Sequence, residues 1–168
     1  AQADKRDPCA SASYSIELPR KAECAMHIAI LTFQGFNELD SFIALGVLQR
    51  IKRPDWRVTI CCPEPEVTSM NGVTVRAQSS LEATASADAV LIGSGVKTRD
   101  VVADPGLLGR VSLDPQRQLI AAQCSGTLVL AKLGLVTGMP ACTDLTTKPW
   151  VEEAGVAVLD QPFYARGN

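Results

Sequence analysis

Metal ligands are scarce in this chain. It has one histidine, His27, and its six cysteines nowhere form a C-x-x-C pair, so a zinc site needs an improbable convergence of distant ligands. Neither a metal nor an organic cofactor is expected. An excess of one charge is missing too: 16 basic and 18 acidic residues are spread along the chain and leave a net charge of −2. With no basic stripe and no acidic tail, nucleic acid is not an expected partner. Apolar runs such as Ala87–Ile92 and Leu128–Leu135 are broken well short of the ~20 residues that cross a bilayer. A membrane partner is therefore not expected either. Internal repeats and low-complexity segments are absent. Residues 1–25 show no strand or helix periodicity and no continuous apolar stretch of the signal-peptide kind. They read as a flexible leader or non-native extension, with Met26 a natural start, and the expected location is the cytoplasm.

What the sequence does contain is enough apolar material for a core. The chain has 168 residues, 46% of them hydrophobic, and a single domain is expected over residues 26–168. Cys61, Cys62, Cys124 and Cys142 fall at strands or strand ends of such a chain, so they read as thiols and not as a disulfide framework.

From Met26 short β-branched runs alternate with longer helical stretches, the mark of βαβ units and a mainly parallel sheet. The expected class is α/β, a Rossmann-like or flavodoxin-like sandwich. His27–Phe33 reads as a buried strand and Leu39–Ile51 as a helix with Phe42, Leu45, Leu48 and Ile51 toward the sheet. Trp56–Cys62 is the second strand. Asn71-Gly72 signals a hairpin between Thr68–Met70 and Val73–Val75, because both residues tolerate positive φ. Ser80 is placed to cap a short helix over Leu81–Ser86, and Ala89–Ile92 is a strand running into Gly93-Ser94-Gly95. Leu119–Gln123 is the next strand and Gly126–Leu133 a helix, ended by Gly134 or Gly138. Ala141–Thr143 and Val156–Leu159 read as short strands around a helix over Pro149–Ala154.

The segment that carries chemistry is Leu119-Ile-Ala-Ala-Gln-Cys-Ser-Gly-Thr-Leu-Val-Leu, a strand turning into a helix with Cys124 at the junction. Such a nucleophile elbow lifts the side chain above the carboxyl edge of the sheet, where the free N–H groups of the new helix face it. These groups and the helix dipole are expected to favour a thiolate, and the Ser125 N–H to steady an oxyanion. The plain alternative is one more buried cysteine. Gly93-Ser94-Gly95 ends a strand on the same edge, where open α/β sheets bind ligands, and its backbone could complete an oxyanion hole. In Gly35-Phe-Asn-Glu-Leu-Asp40, either Glu38 or Asp40 is placed to hydrogen-bond the thiol or move a proton, unless both are solvated or capping acids. His27, at the amino end of its strand, lies far from that edge and reads as structural.

With these residues laid out, the chain resembles the ThiJ/PfpI superfamily, whose fold is similar to that of class I glutamine amidotransferases. The resemblance spans roughly Met26 to Asn168 and rests on ILTFQGFNELD, ADAVLIGSG followed by Thr98-Arg99-Asp100, IAAQCSGTLVLAKLGLVTG, and ACTD leading to WVEEAGVAVLDQPFYARGN. The Cys-Ser-Gly elbow and the ELD triplet look closest to the isocyanide hydratase branch, in which a cysteine attacks the terminal carbon of an isonitrile and water releases an N-substituted formamide. The resemblance implies Cys124 as nucleophile, Asp40 as the acid that exchanges protons with it, and Ser125 and Gly95 as oxyanion N–H donors. Asp40 is preferred to Glu38 because its distance from Gly35 matches the family's active-site carboxylate. Small-molecule substrates and a homodimer are implied as well.

The pattern departs from the family at four places. Ser125 follows the cysteine where many relatives carry histidine, so no Cys-His dyad forms. Asp144 stands where a histidine or tyrosine is usual, and a second negative charge there is expected to raise the thiol pKa. Ser94 replaces the first glycine of a Gly-Gly turn. Relatives continue past the Gly-Asn pair with another strand and a long helix, whereas this sequence ends at Asn168, and a sheet without that cover is expected to expose apolar surface or to self-associate. Three enzymatic readings remain open: isonitrile hydration, hydrolysis of small amides or esters, and deglycation or glyoxal hydration, though relatives with the last activity generally carry glutamate at the Asp40 position. The rival of another class is a ligand-binding or cysteine redox-sensing domain.

Overall fold

In a computed structural model, residues 25–167 are described. The leader expected over residues 1–25 lies, except for Ala25, outside the described residues. The chain runs β1 (Met26–Leu31), α1 (Glu38–Leu48), β2 (Trp56–Cys62), β3 (Glu66–Thr68), β4 (Thr74–Arg76), β5 (Ser79–Ser80), a 3₁₀ turn (Leu81–Ser86), β6 (Ala89–Ile92), α2 (Thr98–Ala103), α3 (Pro105–Leu108), β7 (Leu119–Ala122), α4 (Gly126–Lys132) and α5 (Lys148–Glu153). Five strands form a parallel sheet in the order β5-β2-β1-β6-β7, as expected of an α/β chain of alternating strands and helices. Chain order reverses between β1 and β6, and the loops leaving their carboxyl ends flank the kind of crevice in which open sheets place ligands.

Alternation along β1 divides the core. Ile28 and Ile30 pack with Val58 against Ala44, Leu45 and Leu48 of α1. Ala29 and Leu31 join Val90, Ile92, Val129 and Leu130 on the opposite face, under α4. Both faces of the central strand are thus covered, which is why β1 is apolar without a break from Ile28 to Leu31.

Several boundaries differ from the sequence reading. β1 pairs only to Leu31, although Thr32 and Phe33 stay buried. α1 stops at Leu48, and its tail tightens into turns from Arg50 N–H to Val47 O and from Ile51 N–H to Leu48 O. Pro54 disfavours further helix just ahead of it, so Ile51 is left exposed and does not face the sheet. The hairpin exists, but its strands are Glu66–Thr68 and Thr74–Arg76, and only Gly72 (φ 88°) takes positive φ. The loop is therefore five residues long, not a two-residue Asn-Gly turn. Ser80 sits at the cap position before the 3₁₀ turn, where it makes no side-chain cap bond. β7 ends at Ala122, with the Gln123 N–H continuing the ladder to Ile92 O. The strands expected at Ala141–Thr143 and Val156–Leu159 reduce to a single parallel bridge between Ala141 and Val158. Helices α2 and α3 were not anticipated, because one turn or so of helix is too short to show periodicity.

Glycines end both helices near the site in the same way. After α4 the Gly134 N–H reaches Ala131 O and the Leu135 N–H reaches Leu130 O; after α5 the Gly155 and Val156 N–H groups reach Glu152 O and Val151 O. With φ of 74° at Gly134 and 83° at Gly155, these are Schellman stops. Among the described residues, no helix is long and apolar enough to cross a membrane.

Candidate active site

Cys124 is the only non-glycine residue with positive φ among those described, at 47°. Left-handed backbone at a residue with a Cβ costs about 1–3 kcal/mol, so the surrounding structure must hold it in place. Gly126 shows how. A Cβ there would meet Ile92 O at 2.5 Å and Gly93 O at 2.9 Å, so only glycine lets the start of α4 press against the end of β6. That close approach, two residues beyond Cys124, holds the chain on its tight turn out of β7.

The loop after β6 is fastened to the elbow by hydroxyls. Ser125 Oγ accepts the Gly95 N–H at 3.1 Å and lies 2.8 Å from Thr98 Oγ1, which itself donates to Gly95 O at 2.7 Å. Gly95 has a second tight neighbour, since a Cβ on it would lie 2.5 Å from Gly35 O. An antiparallel bridge between Phe36 and Gly95, with the Asn37 N–H on Ser94 O at 2.8 Å, straps the loop after β1 to the loop after β6.

Asp144 arrives from the other side. Thr127 Oγ1 donates to Cys142 O and Thr143 Oγ1 donates to Cys124 O, both at 2.8 Å, which clamps the 142–144 segment over the elbow. The Cys124 thiol then donates to Asp144 Oδ2 at 3.0 Å. Asp144 Oδ1 accepts the Thr146 and Thr147 N–H groups at 2.9 and 3.0 Å, which fixes the carboxylate plane.

Cys124 as a residue is exposed. Its sulfur is partly shielded, and that desolvation, with the hydrogen bond to Asp144 and the Asp144 charge, pushes the thiol up to about 11 against the opposing pull of the Ser125 N–H and the Ser94 hydroxyl. The expected thiolate is therefore corrected to a protonated thiol. Two donors and the end of a seven-residue helix do not outweigh desolvation and a carboxylate in contact. Burial raises the Asp144 carboxyl, but the bonds it accepts from Cys124, Thr147 and Thr146 prevail and hold it below the ordinary range.

The other site residues fall into distinct places. The Asp40 carboxylate, in the first turn of α1, accepts the Ser94 hydroxyl and not the thiol. It is thus one hydroxyl removed from Cys124. Glu38 takes the hydroxyl of Ser69 and the Asn71 Nδ2 at 2.9 Å, so it anchors the β3–β4 hairpin and does not meet the thiol. The Ser125 N–H is near enough to the sulfur to pull the thiol down, whereas the Gly95 N–H, expected to face an oxyanion, is occupied by Ser125 Oγ. Arg99 stacks on Trp150, 5.0 Å from the ring centre, and so ties α2 to α5. His27 is buried at the opposite end of β1 with Nε2 2.8 Å from Thr59 Oγ1. Thr98, Thr127 and Thr143 were missed: a threonine whose partner is a distant group, the Ser125 hydroxyl for Thr98 and the carbonyls of Cys142 and Cys124 for the other two, leaves no mark in local sequence. Among the described residues no cluster of three or more histidine, cysteine or acidic side chains is placed to hold a metal.

Cys124 and Asp144 open on a cavity of about 690 Å³ between β7, α4 and the 162–167 segment, walled by Leu130, Leu135, Val136 and Met139. That volume suits a small organic molecule, and Gln123, Thr127, Asp144, Tyr164 and Arg166 bring polar groups to its lining beside the thiol.

The DJ-1/PfpI family profile matches residues 26–168. Among curated proteins no match was found. Solved structures with this fold include a two-domain protein from Anabaena variabilis with DJ-1/ThiJ/PfpI-like and ferritin-like domains, at 25% identity and a TM-score of 0.74. The alignment covers 85% of this chain and 42% of that one, so the present chain spans less than half of that relative. A cysteine-to-alanine variant of a DJ-1 superfamily protein from Salmonella typhimurium aligns at 25% identity and a TM-score of 0.70, covering 85% of this chain and 78% of the other. A ThiJ/PfpI family protein from Pseudomonas syringae has 17% identity and a TM-score of 0.74 over 95% and 68% of the two chains, a likeness of fold alone.

Proposed function

The chain belongs to the DJ-1/PfpI family, and from that premise we propose that it is an enzyme of small molecules in which Cys124 is the nucleophile and isonitrile hydration the first candidate reaction. The observation that carries this reading is the Cys124 thiol itself, held at a strained elbow 3.0 Å from a carboxylate in the lining of a mainly apolar cavity. A nucleophile next to a base, with the base oriented by further groups, is the general arrangement of covalent catalysis.

In the proposed cycle Sγ bonds to the terminal carbon of the isonitrile as its S–H bond breaks and the enzyme passes a proton to that carbon, giving a thioimidate. Water adds to the same carbon, nitrogen is protonated, and the C–S bond breaks to release the N-substituted formamide and restore the thiol. The Ser125 N–H supports the charge that develops beside the sulfur. Asp40 acts through Ser94, whose hydroxyl lies between it and the reacting centre. The walls at Leu130, Leu135, Val136 and Met139 receive an alkyl or aryl substituent.

The redox-sensing alternative is less well supported, because oxidation follows thiolate character and this thiol is held protonated. Location in the cytoplasm, a single domain over 26–168, no nucleic-acid or membrane partner and a homodimer complete the proposal. The exposed stripe of Leu39, Ile43 and Val47 along α1 is compatible with self-association.

The test is turnover of an alkyl isonitrile, a p-nitrophenyl ester and methylglyoxal by wild type beside Cys124→Ala. Formamide production lost in the variant supports hydration; cysteine-dependent ester cleavage selects the hydrolase reading instead. No turnover of any member by a folded protein counts against an enzyme.

A further inference from the structure

Cys124 is flanked by two acids in different relations to its sulfur, and the difference assigns them different work. We propose that Asp144, not Asp40, is the general base that removes the Cys124 proton at the moment of attack, so that the working nucleophile is a thiol with a base in contact and not a standing thiolate. The proposal rests on the reading of Cys124 as a nucleophile. Asp144 Oδ2 accepts the thiol at 3.0 Å, while Asp40 reaches only the Ser94 hydroxyl. Asp144 is also held for the task. Its second oxygen is fixed by two backbone N–H groups, and its segment is bolted to the elbow by Thr127 and Thr143, so the base moves with the nucleophile.

The chemistry balances without any further reactant. As the sulfur forms a bond to an electrophilic carbon, the S–H bond breaks and its proton passes to Asp144 Oδ2. Asp144 then carries that proton for return to the substrate, the leaving group or solvent, and the next cycle starts from carboxylate and thiol. The low carboxyl and raised thiol of the pair describe this resting form. Charged and titratable groups around it are Asp40 behind Ser94, Cys142, Tyr164 and Arg166 on the main cavity, and Lys148 and Asp160 on a smaller cavity that also opens on Asp144.

A base in contact leaves a signature in the pH dependence of Cys124 alkylation by iodoacetamide, in which the S–C bond forms, iodide leaves and the thiol proton goes to the base. The reactive pair of carboxylate and thiol is present at constant fraction between the two titrations, so the wild-type rate is expected to be flat within about twofold from about pH 6 to about pH 9. An unassisted thiol instead gains about tenfold in rate per pH unit until it is ionised. Asp144→Asn keeps an Oδ1 acceptor for Thr146 and Thr147 and removes both the charge and the proton acceptor facing the sulfur. Its thiol titrates lower, seen as thiolate absorbance at lower pH, yet its alkylation follows thiolate ionisation without a plateau. Asp40→Asn retains the plateau. On a turned-over substrate Asp144→Asn loses activity by about 10²- to 10⁴-fold, although its thiolate fraction at neutral pH has risen. That divergence of thiolate up and turnover down is not expected of a residue that merely holds the loop. A wild-type rate that climbs about tenfold per unit through the neutral range, or a plateau lost in Asp40→Asn and kept in Asp144→Asn, overturns the assignment. If no panel substrate is turned over, the enzymatic reading fails by itself, and the alkylation profile still decides the base.

Discussion

Replacing Gly126 by alanine tests whether close packing holds the elbow. Two effects oppose each other. Alanine in place of glycine in a helix returns about 1 kcal/mol of helix stability. Against it, the new Cβ would sit 2.5 Å from Ile92 O and 2.9 Å from Gly93 O, both backbone atoms that cannot rotate aside. Overpacking of this kind costs about 1–3 kcal/mol, and a rigid neighbour places it at the upper end. The expected balance is a loss of about 2 kcal/mol, which lowers the midpoint of thermal unfolding by about 4–8 °C for a domain of this size. Because α4 must retreat from β6, Cys124 also shifts from Ser94 in the loop after β6, so alkylation of the native protein changes with stability. Urea and thermal unfolding, read with iodoacetamide labelling, check both parts. A variant as stable as wild type, with unchanged labelling, would refute the packing argument.

Gly46→Ala is the control, since its Cβ meets nothing within 4 Å on α1; a gain of about 0.5–1 kcal/mol is expected in urea unfolding. His27 is buried with its pKa lowered from 6.5, first by desolvation and then by Arg57, so the folded state favours the neutral ring. A depressed histidine contributes stability that is complete above the unfolded pKa and lost as pH falls through the folded value. Denaturation from pH 7 to pH 5 should therefore show stability falling below about 6.5, with that component of the slope absent in His27→Asn. Burial pushes Cys62 up to about 12, and Cys61 is raised by the same cause, so with a disulfide reagent exposed Cys124 labels before either of them and both wait for unfolding. Thr143→Ala removes the clamp on Cys124 O at a cost of about 1 kcal/mol in stability and loosens Asp144, read as a lower thiol pKa in thiolate absorbance.

What could be read from sequence follows the range of the interactions involved. The parallel sheet and the elbow were legible because apolar runs ending at Cys-Ser-Gly are local patterns, and Gly126 two places beyond Cys124 is the residue the tight approach to Ile92 requires. The preference for Asp40 over Glu38 had its clue in the family resemblance, through the distance from Gly35. The partner each acid takes had none. Glu38 bonds Ser69 and Asn71 some thirty residues on, and Asp40 bonds Ser94 in the loop after β6. The protonation state of Cys124 was misread from the elbow alone, because a helix N-terminus is visible in sequence whereas the distance from Sγ to Asp144 depends on threonine bonds to Cys142 O and Cys124 O. The substitution at Asp144 did signal the direction of the shift.

The central claim is that Cys124 forms the covalent bond of the reaction, and trapping that bond tests it most directly. Wild-type protein mixed with an alkyl isonitrile, quenched during turnover and examined by peptide mass spectrometry, is expected to carry the mass of the isonitrile on the peptide containing Cys124, with formamide accumulating in solution and both signals missing in Cys124→Ala. Formamide released at an undiminished rate by Cys124→Ala, or an adduct found on Cys142 instead, contradicts the account.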